Sequence, residues 1–349
     1  MSDIVNSPNS SRGATESSLL SSLPLSDIDR EIIGHLQQNG RRTYVAIAND
    51  IGVTEKTVRA HAKALLDQKI IQVVALTSPA ALGYRVSTLA AISIASPAEG
   101  TRISDALARI DSIDYVVLTY SRFAIFAEII ARDMQELQET IETQIGAIEG
   151  ITGVELFPYF SLHYQQAQII NPNPTHKEGV IDAEMSEADQ AIVAELALDG
   201  RAAYSMVAEK LGISESQVRI RAQHLLANRQ LKIMAIVNPL KLLDCTMSWI
   251  AINVAVDVPM SDVADALSSM PNISYVATCA GRFDIFVEVI CTSNAELLEI
   301  IESQIRPVRG VTRTEAFIYA NLHYKRLLPL HVRDRTAAEN ATVHSVLRN

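Results

Sequence analysis

The sequence contains few of the residues that mark secreted, zinc-binding or membrane-spanning proteins. Its cysteines, Cys245, Cys279 and Cys291, are too few and too scattered for a disulfide framework or a zinc site. Aromatic residues make up only 5% of the 349 residues. The longest apolar runs, such as residues 123–131, contain charge and are far shorter than the ~20 residues of a membrane span. No basic region followed by an apolar stretch occurs at the N-terminus, so we expect no secretory signal and a cytoplasmic location.

The sequence also lacks the short motifs of common catalytic sites. It has no Walker loop, no GxGxxG fingerprint, no HExxH, no GxSxG and no CxxC pair. We therefore predict that the protein is not an enzyme and needs no metal or cofactor. The net charge of −10 argues against a protein that coats nucleic acid non-specifically, but it allows a DNA-binding protein whose basic residues lie in small patches.

Residues 40–66 have the pattern of two short helices joined by a tight turn at residues 51–54, Ile-Gly-Val-Thr. In the second helix apolar residues recur at i, i+4, i+7 and i+8, which predicts one buried stripe. The stripe consists of Val58, Ala62, Leu65 and Leu66. The outward positions are polar and net basic. Such a helix pair, preceded by a helix that Ser26 would cap, is typical of a helix-turn-helix DNA-binding domain.

From residue 70 the sequence changes to a mixture of strands and helices. A β-branched segment at 70–76 predicts a connecting strand. The segments that follow predict strands at 86–95, 113–120, 123–131 and 154–164, and helices at 101–110 and 134–148. This β-α-β-β-α-β order is ferredoxin-like, with one sheet and both helices on one face.

The whole pattern occurs twice at a constant offset, so that Gly40 corresponds to Gly200, Gly52 to Gly212 and Pro79 to Pro239. Roughly 140 residues correspond without a gap, which indicates a tandem duplication of a large unit rather than a solenoid. We therefore predict an α+β protein with two copies of a three-helix, winged-type helix-turn-helix domain followed by a ferredoxin-like sensor domain. The predicted boundaries are a disordered tail at 1–24, helix-turn-helix domains at 25–69 and 185–229, sensor and dimerisation domains at 70–166 and 230–326, a linker at 167–184 and a flexible tail at 327–349.

Several motifs in this order resemble those of the Lrp/AsnC (feast/famine) family of transcriptional regulators. They are Leu-Ser-x-x-Asp at 25–29, Gly-Arg at 40–41, the turns Ile-Gly-Val-Thr and Leu-Gly-Ile-Ser at 51–54 and 211–214, and the β-α-β-β-α-β segment after each trio of helices. The resemblance implies a DNA-binding domain and a sensor domain that mediates dimerisation and binds a small effector, often an amino acid. Ordinary members carry one unit and dimerise. This chain therefore resembles a fused pseudo-dimer, and we expect it to form homo-oligomers.

The recognition helices are predicted at Thr54–Asp67 and Ser214–Asn228, which would enter successive major grooves of double-stranded DNA about 34 Å apart. The predicted base or phosphate contacts on their outward faces are Arg59, Lys63, Arg219 and Gln223. Arg41, Arg42 and Arg201 are expected to hold phosphates. Glu55 and Glu215 would stabilise the helix dipoles or accept from a cytosine amino group. The other predicted contacts are Thr54, Lys56, Thr57, Ser214, Ser216, Gln217 and Arg221. Because the outward positions differ between the copies, we predict an asymmetric operator.

The two copies depart differently from the family pattern. The arginine that usually lies two residues beyond the position of Arg59 is kept as Arg221 but replaced by His61, so we expect the second DNA-binding domain to contribute more to affinity. The sensor turn Gly-x-x-Asp is kept at 281–284, whereas residues 121–124 read Ser-Arg-Phe-Ala. A glycine lets a ligand approach the backbone, and an aspartate can hold an ammonium group. The predicted effector contacts are Gly281, Arg282 and Asp284, with Ser121 and Arg122.

Structural explanations exist for the same residues. Gly281 could serve only a hairpin turn that Asp284 caps. The two turn arginines could pair with a carboxylate, for which Glu128 and Glu288 are the candidates. His163 and His323 are expected to pack at strand ends.

Two other functions remain as alternatives. An architectural DNA-organising protein would use the same helices without an effector. Sirohaem decarboxylases resemble Lrp/AsnC proteins and are sometimes fused, but they favour segments rich in Trp, His and Arg. This chain has a single tryptophan, Trp249, which argues against the decarboxylase.

Overall fold

A computed structural model describes residues 25–165, 183–237 and 245–324, together with residues 329, 330 and 333. The tail predicted at 1–24 lies outside these residues, as do most of the predicted linker and of the predicted C-terminal tail. Within the described ranges, none of the helices has the length and apolar character that crossing a bilayer requires.

The first helix-turn-helix domain consists of α1 (Asp27–Gln38), α2 (Tyr44–Ile51) and α3 (Glu55–Asp67). A hydroxyl group caps each helix, because Ser26, Thr43 and Thr54 each accept a hydrogen bond from the backbone N–H three residues later. The predicted stripe of α3 packs onto α1 and α2, and its members Val58, Ala62 and Leu65 are buried while Leu66 is partly buried. The outward face of α3 therefore stays exposed.

The first sensor copy has the predicted order of elements. It comprises β1 (Ile71–Leu76), β2 (Val86–Ile94), α4 (Gly100–Leu107), β3 (Ile113–Thr119), β4 (Ile125–Ala131), α5 (Met134–Glu139) and β5 (Ile151–Gln165). The helix predicted at 134–148 is α-helical only in its first part, because α5 continues as a π-helical segment over Thr140–Ile145.

The second copy repeats this order. It comprises α6 (Glu187–Leu198), α7 (Tyr204–Leu211), α8 (Glu215–Ala227), β6 (Lys232–Val237), β7 (Thr246–Val254), α9 (Met260–Ser268), β8 (Ile273–Cys279), β9 (Ile285–Cys291), α10 (Asn294–Ile300) and β10 (Val311–Tyr324). The predicted α+β class, with a duplicated helix-turn-helix and a duplicated β-α-β-β-α-β segment, is thus confirmed.

The two sensor copies form one closed barrel rather than two separate sheets. Within the first copy the strand order is β3-β4-β2-β5, and the full barrel order is β10-β3-β4-β2-β5-β8-β9-β7. The barrel closes because the last strand of each copy extends into the other: Tyr159 on β5 pairs with Cys279 on β8, and Tyr319 on β10 pairs with Thr119 on β3. The two units of one chain therefore pair with each other.

Alternation along the strands separates two kinds of core. On β2, Ala90 and Ile92 pack against the helices outside the barrel, whereas Leu89 and Ala91 point to its interior. The interior is filled mainly by aromatic side chains of both copies, which include Phe126, Phe157, Trp249, Phe286 and Phe317. The aromatic residues that are sparse in the chain as a whole are concentrated where the two copies meet.

A two-stranded ribbon connects the helix-turn-helix domains to the barrel. β1 and β6 pair antiparallel from Ile71 opposite Val237 to Leu76 opposite Lys232. The Gly40 N–H donates to the Ile233 carbonyl at 2.8 Å, and the Gly200 N–H donates to the Val73 carbonyl at 3.0 Å. A Cβ on Gly40 would lie 2.7 Å from Val73 Cγ1, so only glycine allows this close approach. Each helix-turn-helix domain is thereby attached to the ribbon strand of the other copy.

Candidate DNA-binding and effector sites

The two recognition helices expose the same face to solvent, although the residues on that face differ between them. On α3, the predicted contacts Lys56, Arg59 and Lys63 are exposed, and Thr57 is half-buried. On α8, the corresponding residues Ser216, Arg219, Gln223 and Gln217 are all exposed. Arg59 pairs with Glu55 and Arg219 pairs with Glu215, each one turn earlier on the same helix. Surface pairs of this kind contribute at most ~1 kcal/mol, so DNA can readily displace them.

Capping accounts for several of the predicted DNA contacts at the helix starts. The Thr54 hydroxyl accepts from the Thr57 N–H, and the Ser214 hydroxyl accepts from the Gln217 N–H. The Gln217 side chain completes a capping box by accepting from the Ser214 N–H. These three side chains fix where each recognition helix begins.

Arg41 and Arg201 occupy positions that differ from the phosphate contacts predicted for them. Arg41 Nη1 donates to the carbonyl of Gly200 at 2.8 Å and to that of Ala202 at 3.0 Å, and its guanidinium lies 4.2 Å from the centre of the Tyr204 ring. Arg201 makes the reciprocal contacts, with donation to the Gly40 carbonyl at 2.6 Å and stacking over the Tyr44 ring at 4.5 Å. We call this pair the arginine clamp. It joins the two helix-turn-helix domains, which gives both arginines a structural role, and phosphate binding by them stays a prediction. Arg42 pairs instead within its own domain, with Asp50.

Arg221 also has a structural partner that the sequence did not reveal. Its Nη1 lies 3.0 Å from Asp189 Oδ1, which ties α8 to α6. His61 occupies the same place in the first copy, with its Nδ1 2.8 Å from Asp29 Oδ1. Both residues therefore hold the recognition helix to the first helix of the domain. The replacement of arginine by histidine gives no reason to rank the second domain above the first for DNA affinity.

Ile220 is an exposed residue of the recognition helix that sequence reasoning missed. Its side chain is 66% exposed and lies beside Arg219, whereas the first copy has Ala60 at this position. The signal was available, because an isoleucine two residues after the buried Val218 must lie off the buried stripe of α8. An exposed apolar side chain in this place suits contact with a thymine methyl group.

The turns at 121–124 and 281–284 have their polar groups engaged by the protein. Gly281 has a φ of 131° and a Cβ there would lie 3.0 Å from the Phe157 ring. The Asp284 carboxylate accepts from the Val254 N–H at 2.8 Å, so it binds the end of the neighbouring strand β7. The Ser121 hydroxyl donates to the Phe123 carbonyl at 3.0 Å.

The arginines of these turns pair with carboxylates of the other copy. Arg282 Nε lies 3.0 Å from Glu155, and Arg122 Nε lies 2.8 Å from Glu315. The expected class of partner is correct, but Glu128 and Glu288 were the wrong residues. The role of the turns in effector binding stays a prediction.

Glu128 and Glu288 lie instead inside the barrel, in a pseudo-symmetric cluster with four tyrosines. Glu128 accepts from the Tyr275 hydroxyl at 2.5 Å. Glu288 accepts from the Tyr319 hydroxyl at 2.7 Å and from the Ser274 hydroxyl at 2.5 Å, and Tyr115 donates to it as well. We call Tyr115, Glu128, Tyr159, Tyr275, Glu288 and Tyr319 the Glu–Tyr cluster. Its members correspond pairwise in the two copies, Tyr115 to Tyr275, Glu128 to Glu288 and Tyr159 to Tyr319.

Burial is the main cause of the pKa shifts of Glu128 and of the four tyrosines in this cluster. It raises the pKa of Glu128 from 4.5 to about 7; the hydrogen bond from Tyr275 opposes this rise, and the nearby charge of Glu288 adds to it. Burial also raises the pKa values of the Tyr115, Tyr159, Tyr275 and Tyr319 hydroxyls well above 10. The tyrosines therefore act as hydrogen-bond donors at neutral pH.

The Glu–Tyr cluster opens into a cavity of about 1160 Å³ between the barrel, the ribbon and the helix-turn-helix domains. His323, which was expected to pack at a strand end, lines this cavity with its Nε2 3.1 Å from Asp105 Oδ1. The side chain of its counterpart His163 lies outside the described residues. No group of three or more metal-ligating side chains occurs in the part of the chain that the structure describes.

Comparison with known protein families agrees with this architecture. The AsnC-type helix-turn-helix domain matches residues 25–66 and 185–226, and a C-terminal dimeric alpha+beta barrel domain of AsnC regulators matches residues 100–170 and 246–327. The chain belongs to the Lrp/AsnC family of transcriptional regulators. As predicted, it is a DNA-binding member of that family with its unit duplicated in tandem.

Relatives within the Lrp/AsnC family correspond to one half of the chain. An uncharacterised HTH-type transcriptional regulator of Pyrococcus furiosus is 32% identical over 132 residues, which cover 38% of this chain and 88% of the relative. The regulatory protein AsnC of Escherichia coli K12 is 27% identical over 135 residues, which cover 38% of this chain and 87% of AsnC. These relatives therefore carry a single unit.

A solved structure matches both halves of this Lrp/AsnC chain at once. The sirohaem decarboxylase NirDL, in complex with an iron-uroporphyrin III analogue, superimposes with a TM-score of 0.58, covering 87% of this chain and 94% of NirDL. The sequence identity is 12%. At that identity the likeness shows a shared fold and says nothing about a shared activity.

Proposed function

We propose that a single chain binds an asymmetric operator with its two helix-turn-helix domains acting as a preassembled pair. The observation that carries this proposal is the arginine clamp, together with the ribbon of β1 and β6. Both connect the domains within one chain. A dimer of single-unit proteins dissociates on dilution, and its two DNA-binding domains then separate. Two domains in one chain stay together at any concentration.

The two recognition helices offer different chemistry to the two half-sites. Lys63 on α3 corresponds to Gln223 on α8, and Ala60 corresponds to Ile220. Lysine acts as a point charge toward phosphate or guanine, whereas glutamine can bond an adenine edge through two atoms. The first half-site is therefore expected to be read mainly through charge, and the second through an amide and a methyl contact.

Selection of binding sites from random DNA, followed by footprinting, tests this proposal. We expect two unlike half-sites one helical turn apart, about 34 Å, protected by one chain. A variant with Ala60→Ile and Lys63→Gln makes the first recognition helix match the second at two outward positions, so its selected site should become more symmetric. A perfect palindrome selected by the unaltered chain would contradict the proposal.

The selected DNA site also distinguishes a regulator from an architectural DNA-binding protein, by comparison of its affinity with that of random duplex. A regulator should bind its selected site at least ~10³-fold more tightly than random duplex at physiological salt. Binding that scarcely distinguishes the two would favour an architectural protein.

A small effector is the second part of the proposed function. Its binding would change the relative placement of the two recognition helices, or the assembly of chains into homo-oligomers, and so change operator affinity. Calorimetry against a panel of amino acids, with light scattering and operator titration in parallel, tests this part. The absence of heat from every compound, with operator binding insensitive to all of them, would exclude an amino-acid effector.

An enzymatic role like that of NirDL is not favoured by the charges that surround the cavity. Asp114, Glu128 and Glu288 line it, and an iron-uroporphyrin carries several carboxylates of its own. Like charges inside a barrel repel strongly, because little solvent screens them. Anaerobic incubation with the protein should therefore leave the absorption spectrum of sirohaem unchanged. A shifted spectrum would show that sirohaem binds and would favour an enzymatic role.

A further inference from the structure

The cavity above the Glu–Tyr cluster has the size and construction of a ligand site. Its volume of about 1160 Å³ is slightly larger than the ~300–1000 Å³ typical of small-molecule sites, so a ligand of that size would leave part of it to water. The turns at 121–124 and 281–284, where the effector contacts were predicted from the sequence, do not line this cavity. Such a volume next to buried, hydrogen-bonded carboxylates is more than close packing leaves by chance.

The chemistry of the cavity wall is divided into an acidic part and an apolar part. The acidic part contains Asp114, Glu128 and Glu288, and the last two are only 6% and 7% exposed. The apolar part includes Met234 and Ile236 of the ribbon and Met247 and Ile290 of the barrel. A ligand that fits both parts has a positively charged, hydrogen-donating end and an apolar body.

The other charged groups around the cavity do not offset this acidic character. Asp199 is a further carboxylate, and Lys69 and Arg201 are the lysine and arginine of the lining. Lys69 is exposed to solvent, and Arg201 already donates to backbone carbonyls in the arginine clamp. A bound cation would therefore be attracted to the Glu–Tyr cluster.

We propose that this cavity binds an organic amine with an apolar body, whose ammonium group is held by Glu128 and Glu288 and whose body lies against the ribbon. The site would be the effector site of the proposed regulator, and in this respect it rests on the function proposed above. Binding itself requires only the cavity.

Tyr44 connects the cavity to both the arginine clamp and a recognition helix. Its side chain lines the cavity, and its ring stacks with the Arg201 guanidinium at 4.5 Å. The Arg59 guanidinium of α3 lies 5.4 Å from the same ring. A ligand that moves Tyr44 would therefore disturb both arginines at once, and with them the placement of the first recognition helix.

Titration of the full chain with n-hexylamine, at pH 8 and followed by calorimetry and by Trp249 fluorescence, tests binding without any variant. Trp249 is suited as a reporter, because it is the only tryptophan and its ring lies 5.2 Å from that of Tyr275. The neutral 1-hexanol and the anionic hexanoate have the same body. We expect saturable binding of the amine at least tenfold tighter than that of either comparison compound. Equal binding of amine and alcohol overturns the proposal.

Two variants locate the amine. Glu128→Gln with Glu288→Gln removes both charges of the cluster while the amides can still accept hydrogen bonds, and it should weaken amine binding at least tenfold. Glu155→Gln is the matched control, since this glutamate pairs with Arg282 at the barrel turn and does not line the cavity. If the double variant binds the amine as the unaltered chain does, the site lies elsewhere and the proposal fails.

Operator binding, measured with and without saturating amine, separates this proposal from the proposed function. Specific operator binding with no amine binding overturns the cavity site and leaves the regulator intact. Amine binding that leaves operator affinity unchanged overturns the effector role of the site. A chain that binds amine but discriminates no operator from random DNA contradicts the proposed function and leaves the cavity site standing.

Discussion

Replacing Glu128 with glutamine removes a buried group whose ionisation opposes folding. Burial raises the pKa of this carboxyl from 4.5 to about 7. Between these values the unfolded chain has released a proton that the folded chain retains, so the free energy of unfolding decreases as the pH rises from about 4.5 to about 7, and the loss is complete above that. The difference, (7 − 4.5) pKa units at ~1.4 kcal/mol each, amounts to about 3–4 kcal/mol.

The Glu128→Gln variant should therefore differ least from the unaltered chain near pH 5 and exceed its stability at pH 8 by up to about 3–4 kcal/mol. The amide has nearly the same shape as a protonated carboxyl, and its oxygen can still accept from the Tyr275 hydroxyl. Urea unfolding at pH 5, 6, 7 and 8, followed by Trp249 fluorescence, measures the difference. Groups that titrate in both proteins cancel in the comparison.

Tyr275→Phe provides a control in the opposite direction. The Tyr275 hydroxyl donates to Glu128 and holds its pKa down, so its removal should raise the pKa of Glu128 further and extend the loss of stability to higher pH. A Glu128→Gln variant that differs from the unaltered chain by the same amount at pH 5 and at pH 8 would refute the reasoning.

Three further predictions concern the helix-turn-helix domains and the barrel turn. Replacing both Arg41 and Arg201 with alanine should weaken operator binding without changing its salt dependence, because their guanidinium groups are already engaged by backbone carbonyls. Fluorescence anisotropy at several salt concentrations checks this, and a lower salt slope in the double variant would show that the two arginines do contact phosphates. Arg219→Ala is the contrast, which should lower the salt slope by ~1 if Arg219 contacts a phosphate. Arg221→Ala should lower the free energy of unfolding by up to about 1 kcal/mol, and an unchanged melting temperature would show that its pair with Asp189 contributes nothing. Gly281→Ala should destabilise the barrel by about 1–3 kcal/mol in urea unfolding, because its φ of 131° suits only glycine and a methyl group would meet Phe157; full stability of the variant would contradict this.

The elements that sequence analysis predicted are those set by local periodicity. The stripe from Val58 to Leu66 defines a helix and its buried face within three turns of chain, and its recurrence from Val218 to Leu226 repeats that information. The exposed residues of the recognition helices follow from it. Pairing between the copies does not, because nothing near Tyr159 or Tyr319 in the sequence specifies a partner strand in the other half of the chain.

The candidate site was predicted less well for the same reason. Arg41 is a basic residue beside a recognition helix, and only the folded arrangement shows that the carbonyls of Gly200 and Ala202 lie within its reach. Glu128 did carry a local signal, since it lies two residues after Phe126 on β4 and must face the barrel interior with it. A charged residue on the inner face of an otherwise apolar strand indicates a functional group, and its recurrence as Glu288 strengthens that indication.

The exchange of strand ends between the copies has a consequence for synthesis of the chain. β3 is completed at Thr119, but its partner residue Tyr319 belongs to β10, the last strand among the residues that the structure describes. At ~5–20 residues per second, one edge of the first sheet stays open for about 10–40 s on the ribosome. An open edge of apolar strands is a template for pairing with other chains, and a second nascent copy on the same messenger presents a matching edge. Duplication within one chain thus ensures one copy of each half per barrel, while it leaves the edge of the first half unpaired until β10 has been made.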